Sequence, residues 1–331
     1  MFEALFFAIE AVFPIIIMVV LGFFLKKGGL VGDSFVKTAN KLVFRVFLPA
    51  MLFNNVYSIK GIGDFNLSFA FFVVIFTIIL FSAFIPIICS FTKENKRRGA
   101  LLQASFRSNY ALIGIPLAQS LFGSQGVAVA SLLSAVLIPT FNILAVLSLS
   151  IFGDSKPSFK KIVKDIVKNP LINSVLLGVV VLLVREFFVS NSISFRLSDI
   201  SVLFKVINYL SSVATPLALI VLGAQFEFSA IKELKREIIF GTVVRTAVVP
   251  FLGLASAFLL YKFNVIELNG AHFASFVAAF STPVAVSSVP MAQEMKSDVV
   301  LAGQLVVWST LISSLSVFLS AFFLKALGVF N

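Results

Sequence analysis

The sequence predicts an all-α polytopic membrane protein with ten transmembrane helices, arranged as an inverted 5+5 repeat. Three observations lead to this fold class. Of the 331 residues, 59% are hydrophobic and only 12% are charged, whereas a soluble domain carries about 25% charged residues. Lysine and arginine are concentrated in alternate connections. The apolar residues form long blocks, of which five contain no Asp, Glu, Lys or Arg: 65–92, 108–153, 206–226, 268–293 and 299–324.

Ten helices account for these blocks, because about 20 apolar residues suffice to cross a bilayer. The predicted helices cover about 4–25, 35–57, 67–91, 100–121, 125–151, 170–190, 204–226, 238–261, 271–293 and 299–327. The block from 108 to 153 is too long for one helix, and residues 123–126, GSQG, supply a turn within it. Lys26 and Lys27 follow the first apolar segment, which indicates a retained helix instead of a cleaved signal peptide.

The orientation follows from lysine and arginine, which favour cytoplasmic loops. The odd-numbered connections hold most of them: Lys26, Lys27, Lys93, Lys96, Arg97, Arg98, Lys156, Lys160, Lys161, Lys164, Lys168, Lys232, Lys235, Arg236 and Lys296. The even-numbered connections, their helix ends and the termini hold few: Lys60, Arg185, Arg196, Lys205, Lys262 and Lys325. We therefore expect a multi-pass protein of the cytoplasmic membrane with both termini outside.

The longest cytoplasmic connection, residues 153–169, separates a first five-helix repeat at 1–152 from a second at 170–331. Apolar residues recur in it at helical spacing: Phe159, Ile162, Val163, Ile166 and Val167. Lysines occupy the other side: Lys160, Lys161, Lys164 and Lys168. This pattern fits either a short helix on an anionic leaflet or a solvated linker.

Proline-containing segments recur at matching places in the two halves, which is typical of a transporter site. Residues 116–119, PLAQ, in predicted helix 4 correspond to residues 290–293, PMAQ, in predicted helix 9. Residues 48–52, LPAML, in helix 2 correspond to residues 215–219, TPLAL, in helix 7. Because proline removes a main-chain donor, we expect helix 4 to break near Pro116. We expect helix 9 to break near Pro283 to Pro290, and the two breaks to touch.

Residues 106–117, FRSNYALIGIPL, followed by residues 121–123, LFG, resemble the helix 4 motif of the auxin efflux carrier family. Residues 216–219, PLAL, with Leu222 and Gly223 resemble its helix 7 motif. The helix 9 motif is represented by residues 282–286, TPVAV, residues 291–294, MAQE, and Asp298.

The resemblance implies ten helices in an inverted repeat, with helices 4 and 9 crossing beside the substrate. It also implies transport of organic anions, since bacterial members include proposed malate and malonate permeases. Two features depart from the pattern of the family. Its plant members have a much longer central cytoplasmic loop, so regulation through that loop does not carry over. Pro290 and Lys296 also differ from the family motif, which concerns the details of the helix 9 break.

Four basic residues lie inside apolar segments. Arg107 and Arg245 lie about eight residues from the cytoplasmic helix end, or roughly 12 Å along the helix. A charge at that depth usually has a function, and Arg107 either attracts an anion or supports the helix break. The alternative is that the side chain reaches back to the surface. We prefer that interpretation for Lys41 and Arg45, which follow Lys37 along one helix face.

The candidate substrate-binding residues surround the predicted breaks. Asn109 lies two helical turns before Pro116 and can both donate and accept hydrogen bonds. Asn142 can do the same, or it can join two helices. In a broken helix, main-chain N–H groups and the helix dipole favour an anion. The remaining substrate-binding candidates are Pro116, Pro283, Ser287, Ser288 and Pro290.

A sodium-coupled anion symporter of the bile-acid type is the alternative transport mechanism. It would need clustered oxygen ligands, for which Gln119, Gln293 and Glu294 are the candidates. Glu10 and Glu294 lie near the ends of their helices, which gives weak support for coupling through a buried acid. A membrane sensor or scaffold without transport is a third possibility, although the chain contains no recognisable output domain.

Several function classes are excluded. Cys89 is the single cysteine, so the chain has no internal disulfide and a structural zinc site is not expected. No phosphate-binding glycine motif or catalytic constellation is found, so we expect neither an enzyme nor a cofactor. His272 is the single histidine and lies near a helix end, which disfavours a histidine proton relay. The expected partners are a small organic anion and the lipid bilayer, with no nucleic acid. A homodimer is left open.

Overall fold

A computed structural model describes residues 2–58, 66–153 and 159–330, with the backbone alone for 2–12, 159–162 and 165. The first part consists of α-helices interrupted by two short π-helical segments. These elements are α1 (Phe2–Lys27), α2 (Asp33–Leu42), π1 (Val43–Phe47), α3 (Leu48–Tyr57), α4 (Leu67–Phe91), α5 (Asn95–Phe106), π2 (Tyr110–Gly114) and α6 (Ile115–Ile151). Within the described residues the chain forms no β-strand, only one isolated bridge.

The remaining elements follow the connection after α6. They are α7 (Phe159–Lys168), α8 (Pro170–Ser190), α9 (Ser201–Ala224), α10 (Ala230–Glu233), α11 (Lys235–Val243), π3 (Val244–Val248), α12 (Val249–Lys262), α13 (Gly270–Phe280), α14 (Ser288–Glu294) and α15 (Val299–Ala326). Six stretches of the described residues are long and apolar enough to cross a membrane: Leu67–Phe91, Tyr110–Ile151, Pro170–Ser190, Ser201–Ala224, Lys235–Lys262 and Val299–Ala326. The predicted all-α membrane class is confirmed.

The turn predicted after Leu121 is observed within α6. Phe122 and Gly123 leave the helical region, with φ/ψ of −143°/26° and 58°/−146°. The positive φ of Gly123 is one that side chains strongly disfavour, so glycine provides the bend. The two arms then pack closely, because a Cβ atom on Gly126 would lie 2.1 Å from the Ala118 carbonyl oxygen.

The centre of the bundle is α13, of which every residue except His272 is buried. Phenylalanines of α4 pack on it edge to face. The Phe69 and Phe72 rings lie 5.0 and 5.4 Å from the Phe276 ring, and the Phe76 ring lies 5.2 Å from that of Phe280. Such pairs favour rigid packing without polar groups, which suits an interior that must exclude lipid. The chain contains 40 phenylalanines, and these contacts account for some of them.

Three prolines inside helices are accommodated by π-helical segments. The segments π1, π2 and π3 each end two residues before a proline, which are Pro49, Pro116 and Pro250 respectively. A proline lacks the N–H that an α-helix needs and clashes with the carbonyl four residues earlier, and the wider π turn relieves both problems. The chain therefore stays helical through Pro116. The expectation of a break near Pro116 was wrong in position, because the break lies at residues 107–109.

The two helix breaks lie against each other. The first separates α5 from π2 at residues 107–109, and the second separates α13 from α14 at residues 281–287. Ser108 forms an antiparallel bridge with Val284. The Asn109 N–H donates to the Pro283 carbonyl at 2.8 Å, and the Ala285 N–H donates to the Arg107 carbonyl at 3.3 Å. The main-chain groups freed by each break are thus partly satisfied by the other break, as the membrane interior requires.

Candidate functional site

A small cavity lies beside the paired breaks. Its volume is about 60 Å³. On the same measure, about 10–15 Å³ suffices for one water molecule. Its walls come from five segments of the chain: Leu48, Met51, Leu52, Arg107, Ser108, Asn109, Tyr110, Ala111, Leu112, Ile138, Phe141, Asn142, Thr215, Ala218, Ala285, Val286 and Ser287. The cavity therefore has room for a few waters in this conformation, and a larger solute requires the walls to move apart.

Arg107 forms the charged side of this cavity and is only 3% exposed. One terminal nitrogen, Nη2, donates to the Asn142 Oδ1 atom at 2.9 Å and to the Ser287 Oγ atom at 3.0 Å. The other, Nη1, donates to the Gln103 Oε1 atom at 3.0 Å and approaches the Met291 Sδ atom at 3.2 Å. A weaker contact joins Nη1 to the Ser288 Oγ atom at 3.5 Å. The guanidinium is thus held in one orientation by α5, α6, the second break and α14.

All these Arg107 partners are neutral. Within the described residues no carboxylate forms an ion pair with it. A buried charge without a counter-charge carries a large desolvation cost, which neutral hydrogen bonds offset only in part. An anion in the adjoining cavity would supply the missing charge. These contacts are compatible with both predicted roles of Arg107, attraction of an anion and support of the helix break, and both roles stay predictions.

Unpaired donors line the same cavity. The Asn109 Nδ2 and Ser108 Oγ atoms are buried and make no hydrogen bond with the described part of the chain. Tyr110, Ala111 and Leu112 are the first residues of π2, whose initial N–H groups have no partner inside a helix. The helix dipole adds partial positive charge at this end. The cavity therefore offers donors and positive potential, which suit a carboxylate.

Asn142 and the serines of the second break serve Arg107. The Asn142 amide donates from Nδ2 to the Ile138 carbonyl at 2.9 Å, which turns its Oδ1 atom towards the guanidinium. Asn142 and Ser287 also line the cavity, whereas Ser288 is buried behind it. The structure therefore brings four predicted residues to the cavity wall: Arg107, Asn109, Asn142 and Ser287.

The predicted prolines lie around the cavity but do not line it. Pro283 belongs to the second break and accepts from Asn109 through its carbonyl. Pro116 is exposed in the first turn of α6, and Pro290 is buried in the first turn of α14. Their contribution is to backbone geometry, since a proline side chain offers no hydrogen-bonding group.

Arg245, in π3, is completely buried and holds the end of α13. It donates from Nε to the Thr282 carbonyl at 2.8 Å and from Nη2 to the Ala279 and Phe280 carbonyls at 3.0 and 2.9 Å. The last carbonyls of a helix have no partner within it, and the dipole there is negative. Arg245 therefore caps the broken helix in the protein interior, away from the residues that line the cavity.

The candidate ion ligands make separate contacts. Gln293 accepts hydrogen bonds from Asn40 and, at 3.0 Å, from Gln225. Glu294 forms an ion pair with Arg45. Gln119 is exposed on α6 and shares none of the hydrogen bonds described for the other two residues. These contacts join α14 to α2, π1 and α9.

Two groups of residues at the cavity were missed as site candidates. Ser108 lies between Arg107 and Asn109, but a serine in an apolar helix carries little signal of its own. The apolar wall formed by Leu48, Met51, Thr215 and Ala218 had a stronger signal. These residues belong to the matched proline segments of predicted helices 2 and 7, so the pattern that indicated a duplication also marked the wall.

Comparisons with known proteins identify a family for this chain. A family model described as a membrane transport protein matches residues 7–320. The chain is similar to an uncharacterized transporter of Methanothermobacter thermautotrophicus, with 25% identity over 93% of this chain and 95% of that protein. It is also similar to an uncharacterized transporter of Methanocaldococcus jannaschii, with 26% identity over 92% and 95% of the two chains. This chain is a membrane transporter and not an enzyme, and it belongs to the auxin efflux carrier-like family of membrane transport proteins.

Proposed function

We propose that the protein is a secondary transporter of small organic anions, either mono- or dicarboxylates, with the carboxylate bound in the cavity between the two breaks. The observation that carries this proposal is Arg107, a buried guanidinium with only neutral partners among the described residues. The unpaired Asn109 and Ser108 donors complete a binding set for a carboxylate. A cation would meet Arg107 without a compensating acid in the cavity wall.

The proposed mechanism is alternating access across ten transmembrane helices, with both termini outside the cytoplasmic membrane. The paired breaks support an inverted repeat in which helices 4 and 9 cross. The antiparallel contacts join residues 107, 108 and 109 to residues 285, 284 and 283. Asn109 and Pro283, which are joined by a main-chain hydrogen bond, occupy equivalent positions in the matched segments. Asn109 lies seven residues before Pro116, and Pro283 lies seven residues before Pro290. In alternating access, the cavity beside the paired breaks would open first to one side of the membrane and then to the other. Arg107 would thus be exposed to each side in turn.

The sodium-coupled alternative has less support. A sodium site needs several oxygen ligands around one point. The Gln293 amide oxygen already accepts from two side chains, and the Glu294 carboxylate is paired with Arg45. A scaffold that binds no ligand would have no need of an uncompensated charge beside a cavity, and a sensor that only binds the anion would show no uptake into liposomes. We therefore favour anion transport without these residues as sodium ligands.

The test is uptake into liposomes containing the purified protein, with malate, malonate and an aromatic acetate as substrates and an organic cation for comparison. Arg107→Ala should reduce carboxylate uptake at least tenfold, and Arg107→Lys should restore part of it. The Arg236→Ala variant is the control. It removes an equal charge at an exposed position, where the guanidinium lies over the Phe91 ring, and should behave as wild type. Cation uptake that exceeds uptake of every carboxylate would overturn the assignment.

A further inference from the structure

A second cavity, of about 420 Å³, opens where the connection between the two halves meets α14. We call it the basic cleft. Its walls are formed by Phe44, Arg45, Lys168, Asn169, Pro170, Glu294 and Met295. These residues come from π1, from the junction of α7 with α8 and from the end of α14. None of them lines the carboxylate cavity beside Arg107.

The charges around the basic cleft are mainly positive. Arg45 and Lys168 approach it from different sides, and Glu294 is the single acid in its wall. Lys168 is exposed and makes no hydrogen bond or ion pair with the described part of the chain. Lys41 and Lys164, also exposed, each lie four residues before these two, on the same helical face. The wall of the cleft therefore presents one lysine and one arginine to a ligand from outside the chain, with two further lysines one helical turn away.

The cleft lies at the level where membrane helices begin. The candidate span α8 starts at Pro170, directly after Lys168 and Asn169, and the candidate span α15 starts five residues after Glu294. Beside it, α7 exposes Val163 and Val167, whose exposed fractions are 41% and 64%. Exposed apolar side chains next to lysines on one helix are typical of a segment that rests in the lipid headgroup layer.

We propose that the basic cleft binds the phosphate of an anionic phospholipid, with α7 resting on the same leaflet. Lys168 and Arg45 would hold the phosphate, while Phe44, Pro170 and Met295 contact the glycerol and the start of the acyl chains. The charge favours an anion, and the position favours a lipid over a soluble anion. The cleft opens at the ends of membrane spans, and exposed valines flank it. Anionic headgroups attract lysine and arginine near the membrane surface.

A lipid in this cleft would act on α14. Glu294 ends α14 and pairs with Arg45, whereas Ser288 and Met291 of the same helix contact Arg107. A lipid phosphate would compete with Glu294 for Arg45 and so release one of the contacts that hold this end of α14. The other contacts, from Gln293 to Asn40 and Gln225, would remain.

The test measures the rise in unfolding temperature of the detergent-purified protein on titration with phosphatidylglycerol or phosphatidylcholine. The wild-type protein should be stabilised by phosphatidylglycerol at a much lower concentration than by phosphatidylcholine. The Lys164→Gln/Lys168→Gln double variant should bind phosphatidylglycerol about 25-fold more weakly, since each lysine contributes roughly fivefold. Glu294→Gln should bind it more tightly. A matched control is Lys262→Gln/Lys325→Gln, which removes the same charge from the last turns of α12 and α15.

The outcomes separate the cleft from general charge effects. An unchanged affinity in the Lys164/Lys168 variant, or an equal loss in the Lys262/Lys325 control, would overturn the assignment to the cleft. Inorganic phosphate is the second probe. If it stabilises the protein or displaces phosphatidylglycerol at equal concentration, the site takes a soluble anion and the lipid proposal is wrong. The unfolding temperature without lipid shows whether each variant is folded, and the result does not depend on transport of any carboxylate.

Discussion

At the scale of single residues, the buried arginines Arg107 and Arg245 have different tasks although they have the same side chain. Arg107 binds side-chain acceptors and faces a cavity, whereas Arg245 binds three main-chain carbonyls at a helix end. Their positions in the sequence are similar, since both lie about eight residues into an apolar segment. Their partners, which come from distant parts of the chain, determine the difference.

Asn109 is expected to contact the substrate directly. Its Nδ2 group is buried beside the cavity and unpaired among the described residues, so its alanine variant loses a donor without leaving another group unsatisfied. A hydrogen bond to a charged group contributes about 1.5–3 kcal/mol, or roughly ten- to a hundredfold in affinity. Asn109→Ala should therefore weaken carboxylate binding by about that factor, as measured with purified protein. Equal affinity in a well-folded variant would remove Asn109 from the site.

Arg245 is expected to matter for stability more than for substrate affinity. Arg245→Ala leaves the Thr282, Ala279 and Phe280 carbonyls without this donor in a buried place, at about 1–3 kcal/mol for each unsatisfied group. The unfolding temperature in detergent should fall by many degrees, while Arg236→Ala should change it little. A variant that keeps the wild-type unfolding temperature but loses carboxylate binding would show instead that Arg245 serves the substrate.

At the scale of elements, α1 and α9 pack through a pair of glycines. A Cβ atom on Gly22 would lie 2.1 Å from the Ile220 carbonyl oxygen, and one on Gly223 would lie 1.9 Å from that of Val19. Small residues let helix backbones approach closely in a membrane, where packing drives association. This contact joins the first helix to the wall of the cavity, because α9 also supplies Thr215 and Ala218.

Gly223→Ala should separate these helices. The added methyl group meets main-chain atoms, which cannot rotate away, so we expect a loss of about 1–3 kcal/mol of stability. Thermal unfolding in detergent measures it. Gly32→Ala is the matched control, since a Cβ atom there has no neighbour within 4 Å and the backbone is extended. An equal effect of both substitutions would contradict the close packing.

The helix breaks show what could be predicted from the sequence and what could not. Prolines and matched segments indicated which two helices break, because these signals are local. The exact position of the first break was missed, because the π turn that accommodates Pro116 leaves no trace in composition. The break itself occurs at Arg107 to Asn109, where partners on the second break replace the lost helical bonds. Such long-range compensation is not readable from one segment.

At the scale of the whole molecule, the composition predicted the fold class, whereas contacts between distant residues could not be predicted. The apolar blocks predicted the all-α membrane class, and the turn at Gly123 was predicted from its residues. Asn109, Asn142 and Arg107 were predicted because polar groups in apolar helices are costly. The pairs Arg45–Glu294 and Asn40–Gln293 were not predicted, because their members lie about 250 residues apart and neither has an unusual neighbourhood in sequence.

The orientation of the whole chain is the last prediction. Lysine and arginine are retained on the cytoplasmic side during insertion, so the basic odd-numbered connections should face the cytoplasm. Single cysteines in a background without Cys89 test this with a reagent that cannot cross the membrane. In intact cells, cysteines at positions 2, 264 and 331 should react, because both termini and the connection after α12 are expected outside. A cysteine at position 94, between α4 and α5, should react only after the membrane is permeabilised. The reverse pattern would invert the topology, and reaction of only one terminus in intact cells would rule out an even number of spans.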